Sequence, residues 1–309
     1  MKPNDTLKNL QANMLEQATY QNGYSPYVPW SNSIGFKIHS MRFQEQTINS
    51  RLAEDFLVNL GFTRNDIESE YSIRSFLEST GTVMLSFANQ EDNNHLEKVQ
   101  LPVSVPLKMA LDTVIKARRS IRHYTGDKVP LAYLATIVRT ACGVTTSNEV
   151  DLNNGSAATL HFRSAGSAGG IYPTDLYIAA LNVEKLEQAI YQYNPIDDCL
   201  VKLYDKDTTK KLLETFSTTE DQISLNRAGF VCLIIGSAAK AMHKYGNQGL
   251  SFTLQEIGSI SQNIHLAITA LGLGSVDCAS YYASEAHQVL KLDGVYKHLF
   301  HTIIAGISQ

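Results

Sequence analysis

Apolar and polar positions divide this chain near residue 105. Before that point the pattern is uneven. Residues 51–60 set Leu52, Phe56 and Leu60 on one helical face, and a second short helix is predicted over 73–77. The polar run 90–98 reads as an exposed linker. From Pro106 the pattern tightens. Leu107, Leu111, Val114 and Ile115 recur at helical spacing, with Pro106 suited to a first turn. A second helix is predicted over 130–141, with Leu131, Leu134, Ile137 and Val138 inward and Gly143 as its stop. Strands are predicted at 176–181, at 189–193 and 200–203 (a hairpin about Asn194-Pro195), and at 230–235. The last of these is a continuous apolar run and fits a strand buried on both faces. Residues 210–216 read as a surface helix. Residues 252–271 form a long helix whose Leu254, Ile257, Ile260, Ile264, Ala267 and Leu271 make one apolar seam, suited to a core or a subunit interface. A final strand is predicted at 301–307.

Composition narrows the function classes. The net charge of −4 over 309 residues gives no reason to expect nucleic acid as a partner. No apolar run approaches the ~20 residues of a membrane span, and the polar N-terminus lacks the apolar centre of a signal peptide. A soluble, cytoplasmic protein is expected. Cys142, Cys199, Cys232 and Cys278 form no CxxC pair and read as reduced core thiols. The nine histidines are scattered, and no metal site is expected. Gly272-Leu273-Gly274 follows a helix and lacks a third glycine, which excludes a dinucleotide fingerprint. No Walker loop and no GxSxG elbow is present.

Three stretches carry candidate chemistry. In RSAGSAGGIYPTDLY (163–177), small residues from Ser164 to Gly170 run into an apolar segment. Such a run lets backbone N–H groups approach a flat or anionic ligand, or it is a mobile surface loop. Arg118, Arg119, Ser120 and Arg122 offer three guanidinium groups and a hydroxyl within five residues. They suit a phosphate grip or a solvated basic helix end. Lys244 and Tyr245 are neighbours: either an exposed lysine beside a packed tyrosine, or a pair that moves a proton. The aromatic, proline-rich stretch 24–30 is core packing or a rigid contact surface for a peptide.

Taken in order, RRSIRHY (118–124), SAGGIYPTDLY (167–177), HKYG (243–246), EIGSISQNIHLAITALGLG (256–274) and a terminal strand resemble the nitroreductase superfamily. Within it the chain is similar to the SagB-type dehydrogenases, flavin enzymes of peptide natural-product and bacteriocin biosynthesis. The likeness spans about 106–307. It implies an α+β, nitroreductase-like FMN-binding fold with a central, mostly antiparallel sheet flanked by helices. It further implies a domain-swapped homodimer with two flavins at the subunit interface. Residues 1–105 are then a mostly helical N-terminal extension, and 106–309 the FMN-binding domain.

By the same resemblance Arg118, Arg119, Ser120 and Arg122 contact the ribityl phosphate of FMN. Ser167, Ala168 and Gly169 line the flavin's other side, and Ala279 and Ser280 stand where the family has a glycine pair. Lys244 and Tyr245 match the family's Lys-Tyr motif. The chain departs from the pattern at Gln248 and Ser251, where arginines are usual, and at Ser259, where a histidine is usual. The implied reaction oxidises a thiazoline or oxazoline of a modified precursor peptide to the azole: the pair removes the Cα proton while hydride leaves Cβ for the flavin. Three alternatives stand beside it. One is reduction of dehydroalanine or dehydrobutyrine in a lanthipeptide, and another is a small-molecule nitro or quinone reductase. The third is an FMN-binding scaffold without turnover. The implied partners are the peptide, a second copy of the chain and other enzymes of a biosynthetic complex.

Overall fold

The computed structural model describes residues 95–151 and 157–309, together with Phe56, residues 72–76 and Ser79. The aromatic stretch 24–30 and most of the 51–60 helix lie outside the described residues. Phe56 is helical, as are residues 72–76, which overlap the second helix predicted over 73–77.

Among the described residues seven strands form one sheet, and every neighbouring pair is antiparallel. In chain order they are β1 (Lys98–Gln100), β4 (Thr174–Ala180), β5 (Ala189–Asn194), β6 (Cys199–Tyr204), β7 (Phe230–Gly236), β8 (Gly274–Asp277) and β9 (His298–Gly306). Their order across the sheet is β1-β6-β5-β4-β7-β9-β8. The α+β class with a central antiparallel sheet and flanking helices is therefore as the resemblance implied. β1, which lies in the stretch expected to precede the domain, is the strand at one edge.

β7 explains why the sheet holds together. Successive side chains of a strand point to opposite faces, and all seven residues of β7 are buried. Phe230, Cys232 and Ile234 join a cluster with Leu134, Ile137 and Val138 of α2 (Leu131–Cys142) and Ile257, Ile260 and Ile264 of α5 (Gln248–Ala270). Val231, Leu233 and Ile235 join a second cluster with Tyr124, with Leu212 of α3 (Lys206–Glu214) and with Ala286 of α6 (Ala283–Val289). Both faces are covered, so the strand is apolar without alternation.

The predicted helix over 130–141 appears as α2, with Pro130 before it and the Gly143 N–H bonded back to Arg139 O at 2.8 Å. The seam of α5 is buried as predicted at Ile257, Ile260, Ile264 and Ala267, whereas Leu254 is 42% exposed. All four cysteines are free and buried. Burial at the end of α2 pushes the Cys142 thiol up to about 12, which keeps it unreactive.

Some expectations needed correction. The helix expected from Pro106 begins only at Leu111; α1 is Leu111–Ala117. Residues 101–108 form no helix or strand, and the Val105 N–H donates to Thr136 Oγ1 of α2 at 2.8 Å. The surface helix over 210–216 starts earlier, where Asp205 accepts from the Thr208 N–H and fixes the first turn of α3. A two-stranded ribbon, β2 (Val144–Asp151) with β3 (Ala157–Arg163), stands outside the main sheet and was not foreseen. Its first strand is exposed beyond Val144. Also unforeseen was α4 (Ala238–Tyr245), which carries the HKY motif.

Candidate functional site

The small-residue loop links β3 to β4. Gly169 has φ +61° and Gly170 φ +67°, and then Tyr172, a residue with a side chain, is also left-handed at φ +50° just before Pro173. Such a backbone costs on the order of 1–3 kcal/mol in a residue with a Cβ. Several contacts hold it in place. The Tyr172 N–H donates to Ser167 Oγ at 2.9 Å, and the Arg163 N–H donates to Tyr172 Oη at 2.9 Å. The Arg163 guanidinium also lies over the Tyr172 ring, 4.7 Å from its centroid.

α4 delivers Lys244 and Tyr245 to this loop. Gly246, at φ +56°, stops the helix, and its N–H bonds Met242 O at 2.8 Å. α5 then packs closely against α4, because a Cβ at Gly249 would meet the α4 backbone at Ala241 and Met242. The consequence lies at Gly169. A Cβ there would meet Tyr245 Oη and, at 2.8 Å, Lys244 Nζ. Both side-chain ends converge on one bare glycine. Lys244 is only 9% exposed, with its Nζ 5.0 Å from the centroid of Phe76 and 5.1 Å from that of Tyr245. Tyr245 is half-buried and meets Phe252 edge-on at 5.1 Å.

Behind the loop stands a carboxyl. Glu256, on α5, is 2% exposed and accepts a short hydrogen bond from Thr174 Oγ1 at the start of β4. Its other oxygen, Oε2, is buried and has no hydrogen-bond partner. Burial pushes the carboxyl up from the ordinary carboxylate range, and the Ser167 and Thr174 hydroxyls and the Arg163 charge offset this only in part.

The arginine segment lies along the far edge of the sheet. Ser120 pairs with Ser275 of β8, and the Ile121 N–H donates to Ser275 O at 2.9 Å. Arg119 spends Nη1 on Lys116 O and Arg118 O, both at 2.8 Å. Arg118 and Arg122 pair with no carboxylate among the described residues. Ala279 and Ser280 are exposed just beyond β8, and Ser280 O accepts from the Ser217 N–H at 2.9 Å. The structure thus brings Ser167–Gly169 together with Lys244 and Tyr245. It places the arginines and Ala279-Ser280 with β8, three strand spacings or about 14 Å from β4.

Sequence reasoning gave Phe76 and Glu256 no role in this corner, and took Arg163, Tyr172 and Thr174 only as members of the 163–177 stretch. A signal existed for Glu256: it falls on the inward face of α5 with Thr253, Ile260 and Ile264, where a lone carboxyl is out of place.

Comparison with known proteins decides the family. The nitroreductase family model matches residues 115–307. The chain belongs to the nitroreductase family. A relative from Methanocaldococcus jannaschii that carries the name nitroreductase is 28% identical over 195 residues, 63% of this chain and 90% of its own. Two solved structures share the fold. One is a nitroreductase of Ralstonia eutropha, with TM-score 0.54 and 19% identity over 69% of this chain and 90% of that one. The other is a chain of the E. coli microcin synthetase McbBCD complex with truncated pro-MccB17 bound. It has TM-score 0.54 and 20% identity over 84% of this chain and 92% of that one.

This nitroreductase-family chain is an oxidoreductase by that membership, and FMN is the cofactor it carries. Two features of the residues fit that group. Arg118 and Arg122 are cations without a carboxylate partner among the described residues, as a phosphate requires. Gly169 presents a bare, exposed backbone face where a flat ring can approach. Among the described residues no helix is long and apolar enough to cross a membrane.

Proposed function

We propose that this protein is an FMN-dependent dehydrogenase of peptide maturation, converting thiazoline or oxazoline rings of a modified precursor peptide to azoles. The observation that carries the reading is the convergence of Lys244 Nζ and Tyr245 Oη on Gly169. Support for a peptide substrate comes from the likeness, over most of this chain, to a component of the microcin synthetase complex.

Arg118 and Arg122 grip the FMN phosphate with Ser120 beside them, and Arg119 braces the segment through its own backbone. Ser167, Ala168 and Gly169 line the flavin from the other side, with Ala279 and Ser280 completing the enclosure. Bound there, FMN supplies a two-electron acceptor for the hydride that leaves Cβ of the ring. The chain's own task is the proton. Tyr245 is half-buried with its Oη against Gly169; in its phenolate form, held beside the Lys244 ammonium, it takes the Cα proton and becomes the neutral phenol. Loss of one hydride and one proton turns azoline into azole. A second copy of the chain completes the site, as in a homodimer, and residues 1–105 form an extension that contributes to the peptide channel.

The experiment supplies purified, FMN-loaded protein with thiazoline-containing, dehydroalanine-containing and unmodified peptides. Loss of two hydrogens from the thiazoline peptide, read by mass spectrometry, is the expected result. Gain of two hydrogens by the dehydroalanine peptide in the presence of NAD(P)H would assign a reductase instead. Bound FMN with no change in any peptide would assign a scaffold.

A further inference from the structure

The N-terminal stretch reaches the site. Residues 72–76 form a helical turn docked on the C-terminal end of α4. The last carbonyls of a helix have no intrahelical donor. Ser72 Oγ serves two of them, at 3.2 Å from His243 O and 3.3 Å from Lys244 O. Phe76 is four residues on, on the same face of the turn. It is 4% exposed, its ring meets that of His243 edge-on with centroids 6.1 Å apart, and Lys244 Nζ stands 5.0 Å from its centroid. The Tyr245 ring faces the same ammonium at 5.1 Å, and Gly169 closes a third side.

A buried cation needs compensation, and no carboxylate pairs with Lys244 among the described residues. Ring faces supply it: the negative face of an aromatic ring attracts an ammonium, more strongly when water is excluded. They also do what a carboxylate would not. They hold the amine in place without donating or accepting a proton. A lysine stem has four rotatable bonds, and without a clamp its amine turns to solvent.

We propose that Phe76 is a positioning residue for Lys244, so that the N-terminal stretch builds part of the proton-transfer corner. Its ring keeps Nζ against Gly169 and beside Tyr245 Oη. The inference rests on reading Lys244 as a site residue, but the clamp is measurable without turnover. If Lys244→Ala leaves catalysis intact, the catalytic reading fails and the clamp stands. If the amine is unclamped, the reverse holds.

The test labels the full-length, FMN-loaded protein with limiting acetic anhydride and maps acetylation by mass spectrometry, using exposed Lys128 as internal standard. Lys244 is expected to react more slowly than Lys128 in the wild type. Phe76→Leu, which keeps apolar bulk but removes the ring, should raise the Lys244/Lys128 ratio at least about fivefold, and Phe76→Tyr should hold it near the wild-type value. An unchanged ratio in Phe76→Leu would overturn the proposal, and so would an equal rise in Phe76→Tyr. If Phe76→Leu does not fold, Ser72→Ala carries the same test: it frees the turn from α4 and should raise the ratio, and no rise there would count against the clamp.

Discussion

Lys244 and Tyr245 owe their place to a glycine. At Gly169 a side chain would be strained by φ and blocked by Lys244 Nζ and Tyr245 Oη, so the loop and the α4 end fit one another only with hydrogen there. General acid–base groups contribute about 10²–10⁴-fold, so Lys244→Ala and Tyr245→Phe should each lower peptide turnover on that scale with flavin content unchanged. Steady-state turnover and the flavin-to-protein ratio check this. Glu256 makes a different prediction. Its carboxyl titrates higher in the folded protein than in the unfolded chain, so the folded state holds the extra proton. Its contribution to stability therefore falls as pH rises from the ordinary carboxylate value, about 4.3, toward the folded value. Glu256→Gln cannot ionise, and its melting temperature should decline less than the wild type's over that range. Parallel declines in a thermal-melt series against pH would refute the assignment.

Among the elements, those with a strong period were legible and those without were not. α5 and α2 each bury most of an apolar face, and β7 is apolar throughout, so each announced itself. β2 is exposed on both faces and carries no alternation to read. β8 has four residues, and α4 has only eight, with few large apolar side chains. The start of α1 was misplaced because Leu107 keeps helical spacing with Leu111, although the extended backbone of Ala110 breaks the helix between them. The site's residues were legible as separate motifs, whereas their meeting at Gly169 depends on α4, which no motif revealed. One junction of elements also carries a prediction. Asp277 at the end of β8 accepts from His265 of α5 at 2.8 Å and from His301 of β9 at 2.7 Å. These bonds hold its carboxyl well below the usual carboxylate range. Its stabilisation is present above the unfolded value, near 3.9, and is lost as pH falls through and below it. Asp277→Asn should remove that part of the acid transition, leaving a less stable but flatter profile in acid-unfolding curves followed by circular dichroism.

At the scale of the whole molecule the assembly is a prediction. The nitroreductase fold supplies a sheet with the arginine segment at one edge and the Lys-Tyr corner three strands away, and FMN belongs with it. Arg118→Ala and Arg122→Ala should each reduce FMN retained after dialysis, since a charge-assisted hydrogen bond is worth about 1.5–3 kcal/mol. Unchanged flavin content in the double variant would move the phosphate grip elsewhere. A homodimer with an interface of roughly 2,000 Å² or more is expected, of the obligate class. Analytical ultracentrifugation of the yellow protein checks it. The central claim joins cofactor, pair and substrate in one step. It is tested most directly by mixing the FMN-loaded protein with a thiazoline peptide in the absence of oxygen and following the visible absorption of oxidised flavin. Bleaching in step with azole formation, present in the wild type and slowed at least about a hundredfold in Tyr245→Phe with full flavin content, is the predicted result. An absorption spectrum that the thiazoline peptide leaves unchanged in the wild type would contradict it.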